Sequence, residues 1–268
     1  MSLEITSRIG VFDSGVGGLS VLRQLRRELP NAALTYAADS AHAPYGERPE
    51  AYVVDRSLAL TRYLLADGAQ MIVVACNTAT AIAINRLRDE WPDVPFVGVE
   101  PGLKPASASS RNGRVGILAT PGTLASERFL RLLTAQPPGT TIVPQPCPGL
   151  AGLIEQLDVK DPRIAEAIET FCSPLRRAGV DTVVLGCTHY AFVADTIQTA
   201  MGREVDIVDT AQAVAQQTAR IAGSLKASPD RRDGEAAQLR TTGELATFVR
   251  ATAGLWPHPC EHQAVAID

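Results

Sequence analysis

The chain has 268 residues, 46% hydrophobic and 20% charged, which is ample for one large or two compact α/β domains and unlike a disordered or fibrous protein. A net charge of −4 with acids and bases mixed along the sequence argues against electrostatic capture of nucleic acid. No apolar run is long enough to span a bilayer, and the N-terminus lacks a signal-peptide pattern, so the expected setting is the cytoplasm, away from membranes.

In chain order, Arg8-Ile9-Gly10-Val11-Phe12 reads as a strand, and a Gly-rich turn, Asp13-Ser14-Gly15-Val16-Gly17-Gly18, follows it. Leu19, Leu22, Leu25 and Leu29 then repeat at helical spacing until Pro30-Asn31 ends the run. A strand from Leu34 to Ala38 precedes a helix through Tyr52, Val53, Leu60 and Leu64. Met71 to Ala75 is an apolar strand leading directly into Cys76-Asn77-Thr78. The basic clusters Arg23, Arg26, Arg27 and Arg231, Arg232 read as solvated surface.

From about residue 98 the pattern restarts. Arg114-Val115-Gly116-Ile117-Leu118 repeats the first strand, and Thr182-Val183-Val184-Leu185-Gly186 ends in Cys187-Thr188-His189 as the earlier strand ends in Cys76. Phe96 to Glu100 is matched by Val205 to Asp209. The offsets are 106 residues (8 to 114), 111 (76 to 187) and 109 (100 to 209). Three matches at nearly one spacing indicate duplicated halves, each a mostly parallel sheet flanked by helices. Ligands bind beyond the carboxyl ends of such strands, so facing halves would set one thiol on each side of a ligand.

Both cysteines precede a predicted helix, whose N-terminus favours a thiolate. Two opposed thiols suit stereoinversion at a carbon acid, one removing the α-proton and the other delivering a proton to the opposite face. A single Cys nucleophile with His189 as its base is the alternative, and it leaves the second thiol without a task. Cys172 falls within a helical stretch as packing, Cys147 in the Pro-rich turn Pro144-Gln145-Pro146-Cys147-Pro148, and Cys260 near the C-terminus shows no partner pattern. With five cysteines and no Cys/His zinc spacing, neither a disulfide framework nor a metal site is expected.

Asp13 at the end of the first strand could hold a substrate ammonium or position a thiol proton, or it could cap the following helix. The glycine turn departs from the dinucleotide fingerprint because Ser20 stands at the place of its last Gly; its backbone N–H groups could grip a carboxylate instead. Only Lys104, Lys160 and Lys226 could carry pyridoxal phosphate, and none lies near a phosphate cup. No cofactor is expected.

Asp13-Ser14-Gly15-Val16-Gly17-Gly18-Leu19, Pro44-Tyr45-Gly46, Ala75-Cys76-Asn77-Thr78-Ala79, Glu100-Pro101 and Leu185-Gly186-Cys187-Thr188-His189-Tyr190, in this order, closely resemble the bacterial glutamate racemase family. Thr241-Thr242-Gly243 looks like the family's C-terminal strand. The resemblance implies two pseudo-symmetric α/β domains, residues 1–98 with 210–268 and residues 99–209, with the active site between them. It implies a cofactor-independent homodimer that interconverts L- and D-glutamate and supplies D-glutamate for peptidoglycan. Cys76 and Cys187 would be the acid/base pair, assisted by Asp13, Glu155 and His189. Glutamate contacts would come from Asp13, Ser14, Tyr45, Gly46, Asn77, Thr78, Thr120, Thr188 and His189. By sequence alone Glu155 reads as an exposed helix carboxylate, Tyr45 as a packed aromatic and Asn77 as a cap. The aspartate-specific relatives usually carry Thr-Glu where this chain has Thr188-His189, which favours glutamate. Ala191, Thr210 and Pro49 depart from the usual proline, serine and serine of the family pattern. The rival reading outside catalysis is an amino-acid-binding protein on the same two-lobed fold.

Overall fold

Alternating apolar strands and amphipathic helices assemble into two parallel sheets in the computed structural model, which describes residues 7–225 and 236–268. Lys226, Arg231 and Arg232 lie outside the described residues. The chain runs β1 (Arg8–Asp13), α1 (Leu19–Glu28), β2 (Ala33–Ala38), α2 (Glu50–Ala66), β3 (Met71–Val74), α3 (Asn77–Glu90) and β4 (Phe96–Gly98). It continues with α4 (Leu103–Ser109), β5 (Arg114–Ala119), α5 (Pro121–Ala125), α6 (Glu127–Thr134), β6 (Thr141–Pro146), α7 (Leu150–Gln156), α8 (Pro162–Arg177), β7 (Thr182–Gly186), α9 (Ala194–Met201) and β8 (Asp206–Val208). Then come α10 (Ala211–Ala222), β9 (Ala237–Thr241), α11 (Leu245–Ala253) and β10 (Cys260–Ala264). Short 3-10 segments stand at Tyr45–Glu47 and Thr188–Val193. Among the described residues no helix is long and apolar enough to cross a membrane.

One sheet has the order β10-β9-β2-β1-β3-β4 and the other β6-β5-β7-β8. Four adjacent strands of the first, β2-β1-β3-β4, repeat the order of the second. Ile9 pairs with Met71 and Val115 with Thr182, so the register recurs at displacements of 106 (9 to 115) and 111 (71 to 182) residues. These are the offsets of the sequence motifs. The segment after residue 236 returns to the first sheet, where β9 pairs with β2 and β10 with β9.

Side-chain alternation sorts each strand's residues onto two helical layers. Ile9 and Val11 join Leu19, Leu22 and Leu25 of α1 and Val214 of α10 on one face. Phe12 joins Leu60 and Leu64 of α2 and Leu87 of α3 on the other. Each fully buried leucine contributes about 1.5–3 kcal/mol relative to exposure. Gly10 is what lets α2 approach, because a Cβ there would lie 2.9 Å from Ile72 Cδ1 and 3.0 Å from Leu64 Cβ.

Three local expectations change. Residues 144–146 are not a turn but the end of edge strand β6. Thr141 and Cys147 donate their N–H groups to Gly113, just before β5, and to Ala119 at its end. Even-numbered positions therefore face outward, and Pro144 and Pro146 forfeit no ladder bond. Arg26 is buried rather than solvated: Nη1 donates to Pro30 O at 2.7 Å and Ala32 O at 3.0 Å, holding the chain as it leaves α1. Cys187 is followed by the Thr188–Val193 3-10 segment, and the α-helix begins only at Ala194.

The two sheets meet through their carboxyl-end loops. The Tyr45–Glu47 segment packs on α5, α3 on α5 and α6, and α1 on the Thr188–Val193 segment.

Candidate active site

Cys76 and Cys187 follow β3 and β7, the equivalent strands of the two sheets, and both are nearly buried at 5% and 8% exposure. The two sides that carry them are joined by a hydrogen bond from Thr188, next to Cys187, to Asp13 at the end of β1. Each has its own polar neighbours.

On the first side, Asp13 ends β1 fully buried. Its Oδ1 accepts from Ser14 N at 2.6 Å and Ser14 Oγ at 3.2 Å, and its Oδ2 accepts from Thr188 Oγ1 of the opposite sheet at 3.0 Å. Asp13 is therefore not the cap of α1, whose N-cap position is Gly18 with no side-chain bond. Burial raises the Asp13 carboxyl above its ordinary range, against the lowering influence of His189, Cys76 and Thr188. Cys76 caps α3, its Sγ accepting from Ala79 N at 3.5 Å, and sits 3.9 Å from Ser14 Oγ. The helix N-terminus was expected to favour the thiolate. Instead burial, followed by the Asp13 charge, pushes the Cys76 thiol well up, and the single Ala79 N–H offsets only part of this.

On the second side, Cys187 Sγ lies 3.7 Å from His189 Nδ1, and His189 Nε2 lies 3.5 Å from Glu155 Oε2. Glu155, near the end of α7, reaches across to the glycine turn, where its Oε1 accepts from Val16 N at 2.9 Å. The turn does grip a carboxylate, and that carboxylate is the protein's own. Its glycines are required by this crossing: a Cβ at Gly15 would stand 2.0 Å from Glu155 Oε1, and one at Gly17 2.4 Å from His189 Nδ1. Burial opposes the charge on His189, but its contacts with Cys187 and Glu155 outweigh it and raise the imidazole well above its ordinary value. Burial likewise tends to raise Glu155, and its contact with His189, together with the N–H of Val16, brings it below the usual carboxylate range.

The sign of this pair gives a pH expectation. The raised His189 stabilises the fold fully below its ordinary value of 6.5 and progressively less as pH rises through its higher folded value. The lowered Glu155 stabilises fully above its ordinary value of 4.5 and less as pH falls through its lower folded value. The pair's contribution therefore peaks between those two values. Urea midpoints measured across pH should show this contribution, and Glu155→Gln should flatten the difference; an unchanged profile in that variant would contradict the ion pair.

A cluster of hydroxyls joins the start of α3, just after Cys76, to the start of α5. Thr78 Oγ1 lies 2.9 Å from Thr120 Oγ1 and 3.2 Å from Thr123 Oγ1, and Thr120 and Thr123 are 2.9 Å apart. Asn77 begins α3 with its buried Nδ2 unmatched by any acceptor, so it is not a cap. Gly46 approaches Thr120 so closely that a Cβ would lie 2.6 Å from Thr120 Cβ. Tyr45 is buried and its hydroxyl is committed to Asp39 Oδ2 at 2.5 Å. The structure thus links Asp13, Ser14, Thr188, Glu155 and His189 to one another and to the cysteines, sets Asn77 and Thr78 directly after Cys76 with Thr120 bonded to Thr78, and gives Tyr45 a bond to Asp39.

Two contributors escaped the sequence reading. Thr123 completes the hydroxyl cluster, and Asp39 ties Tyr45 to Arg56. The first has a local signal, since Thr120-Pro121-Gly122-Thr123 is a helix start with Thr120 accepting from Thr123 N. The second has none.

Cys172 is packed inside α8, and Lys104 and Lys160 are exposed. A cavity of about 740 Å³ opens beside the cluster, bounded on its inner side by Val16 and Glu155 and elsewhere by Ser40, Pro44, Leu157, Thr247 and Phe248. The thiols do not line it.

The family model described as Asp/Glu/hydantoin racemase matches residues 9–218. A glutamate racemase of Ectopseudomonas mendocina is 47% identical over 215 residues, covering 80% of this chain and 82% of that protein. One from Cupriavidus pinatubonensis is 50% identical over 212 residues, covering 79% and 78%. Among solved structures, Escherichia coli glutamate racemase in complex with L-glutamate and the activator UDP-MurNAc-Ala superposes with a TM-score of 0.88 at 29% identity. That superposition covers 98% of this chain and 99% of the other.

Proposed function

From the premise that this chain belongs to the Asp/Glu/hydantoin racemase family and is an amino-acid racemase, we propose that it interconverts L- and D-glutamate without a cofactor. Cys76 and Cys187 are the two acid/base residues. The observation carrying this reading is the placement of one thiol after each of the equivalent strands β3 and β7, on two sides joined by the Thr188–Asp13 bond.

One sulfur, as thiolate, takes the α-proton and becomes a thiol, while the opposite thiol gives its proton to the other face of the α-carbon and becomes a thiolate. Burial and Asp13 keep Cys76 protonated, which makes it the donor when Cys187 is the base. In the reverse direction Asp13, linked to Cys76 through the Ser14 hydroxyl, is the group placed to take up the Cys76 proton. His189, held by Glu155, exchanges protons with Cys187. The Thr188–Asp13 bond fixes the two sides relative to each other. Asn77 Nδ2 and the hydroxyls of Thr78, Thr120 and Thr123 supply donors for substrate carboxylates.

The reading includes residues 1–98 with 210–268 and 99–209 as the two domains, and a cytoplasmic homodimer serving peptidoglycan synthesis. The test is circular dichroism of L-glutamate and, separately, L-aspartate with purified protein in reducing, cofactor-free buffer made with D2O. Loss of signal with glutamate alone, accompanied by deuterium at the α-carbon of the product, is expected. Activity on aspartate alone would move the substrate to the shorter acid, and inertness of a folded, reduced protein towards both would overturn the racemase reading.

A further inference from the structure

Helix α7 belongs to the second sheet's unit, where Leu150, Ala151 and Ile154 pack into its core. Yet both ends of the helix are tied to the first. At its start, Gly149 N donates to Glu47 Oε1 at 3.1 Å; near its end, Glu155 Oε1 accepts from Val16 N at 2.9 Å. Glu155 also stands at the boundary between the 740 Å³ cavity and the acid/base cluster. The nearly buried thiols on the inner side contrast with an open, partly apolar space on the outer side. A closed site that must admit and release a small dicarboxylate needs a piece that moves, and the side chains of Glu47 and Glu155 fasten α7 across to the first sheet's unit.

We propose that α7 is a lid over the two thiols, latched by Glu155 on Val16 and by Glu47 on Gly149, and that the adjoining cavity is the antechamber through which substrate arrives. The proposal rests on the cleft being the racemase site and adds to it a gate with named fastenings. Glu47 is an exposed residue outside the acid/base cluster, so its role is positional. Glu155 has two separable duties: its charge serves His189, and its oxygen holds the lid.

The experiment is iodoacetamide labelling of the full-length protein, following each cysteine peptide by mass spectrometry. Glu155→Ala removes a charged hydrogen bond and should speed labelling of Cys76 and Cys187 by about tenfold. Glu47→Ala, which leaves His189 untouched, should speed it several-fold. Glu155→Gln retains an acceptor oxygen for Val16 and should label at nearly the wild-type rate, although its racemase activity falls with the lost charge. Cys260, partly exposed in β10, should react equally in all four proteins and reports on global unfolding. Unchanged labelling of Cys76 and Cys187 in both alanine variants would overturn the lid, as would a glutamine variant that labels as fast as Glu155→Ala. The readout needs no substrate, so a failed lid and a failed racemase assignment give different results.

Discussion

Cys76→Ser and Cys187→Ser are each expected to lower kcat for glutamate racemisation by about 10³–10⁴-fold, the scale of a lost general acid or base. A serine hydroxyl keeps the size and polarity of the site but neither ionises near neutrality nor carries the proton at comparable driving force. Glutamate affinity by calorimetry should change little, because the donors proposed for its carboxylates, on Asn77, Thr78 and Thr120, are intact. The two variants should also differ from each other. With one competent sulfur left, each should still exchange the α-proton of one enantiomer with solvent deuterium while failing to invert it, and the preferred enantiomer should be opposite in the two. A variant retaining a tenth of wild-type racemisation, or two variants exchanging the same enantiomer, would contradict opposed bases.

Arg56→Met is expected to cost about 3–5 kcal/mol of stability, or a fall in Tm of roughly 6–20 °C for a chain of this size. Asp39 is fully buried, and Arg56 holds both its oxygens, Nη2 to Oδ1 at 3.0 Å and Nε to Oδ2 at 3.0 Å. Removing the guanidinium leaves a buried carboxylate that, among the described residues, keeps the Tyr45 and Thr242 hydroxyls as its side-chain donors. Adding Asp39→Asn should recover part of the loss by removing the charge while keeping an acceptor for Tyr45. Arg56 also donates through Nη1 to Ile267 O at 2.9 Å, so the variant should loosen the C-terminal return and raise KM through the Tyr45–Gly46 segment. Thermal melts and initial rates check both, and a Tm within about 2 °C of wild type would show that the pair contributes little.

Residue order alone revealed the α/β alternation, the near-constant offset between halves, and the pairing of Cys76 with Cys187, because each is written in local periodicity. A strand ending in Cys repeats as a strand ending in Cys, and parallel sheets put both at equivalent edges. The failure of the dinucleotide fingerprint at Ser20 likewise pointed the glycine turn towards a carboxylate. What the sequence did not contain was the direction in which side chains leave one half for the other. Glu155 has the local features of an exposed helix carboxylate, and only the docking of α7 over Gly15 makes it a partner of His189 and Val16. Arg26, Asp39 and Arg56 show the same limit, since their burial depends on elements distant in sequence or on a turn's three-dimensional path. The Cys76 ionisation was misjudged for a related reason. A helix N-terminus is a local feature that favours the thiolate, whereas desolvation and the Asp13 charge come from tertiary packing and oppose it more strongly. Periodicity and spacing are properties of neighbours along the chain; burial, long-range charge and contact between the halves arise only when the two sheets close upon each other.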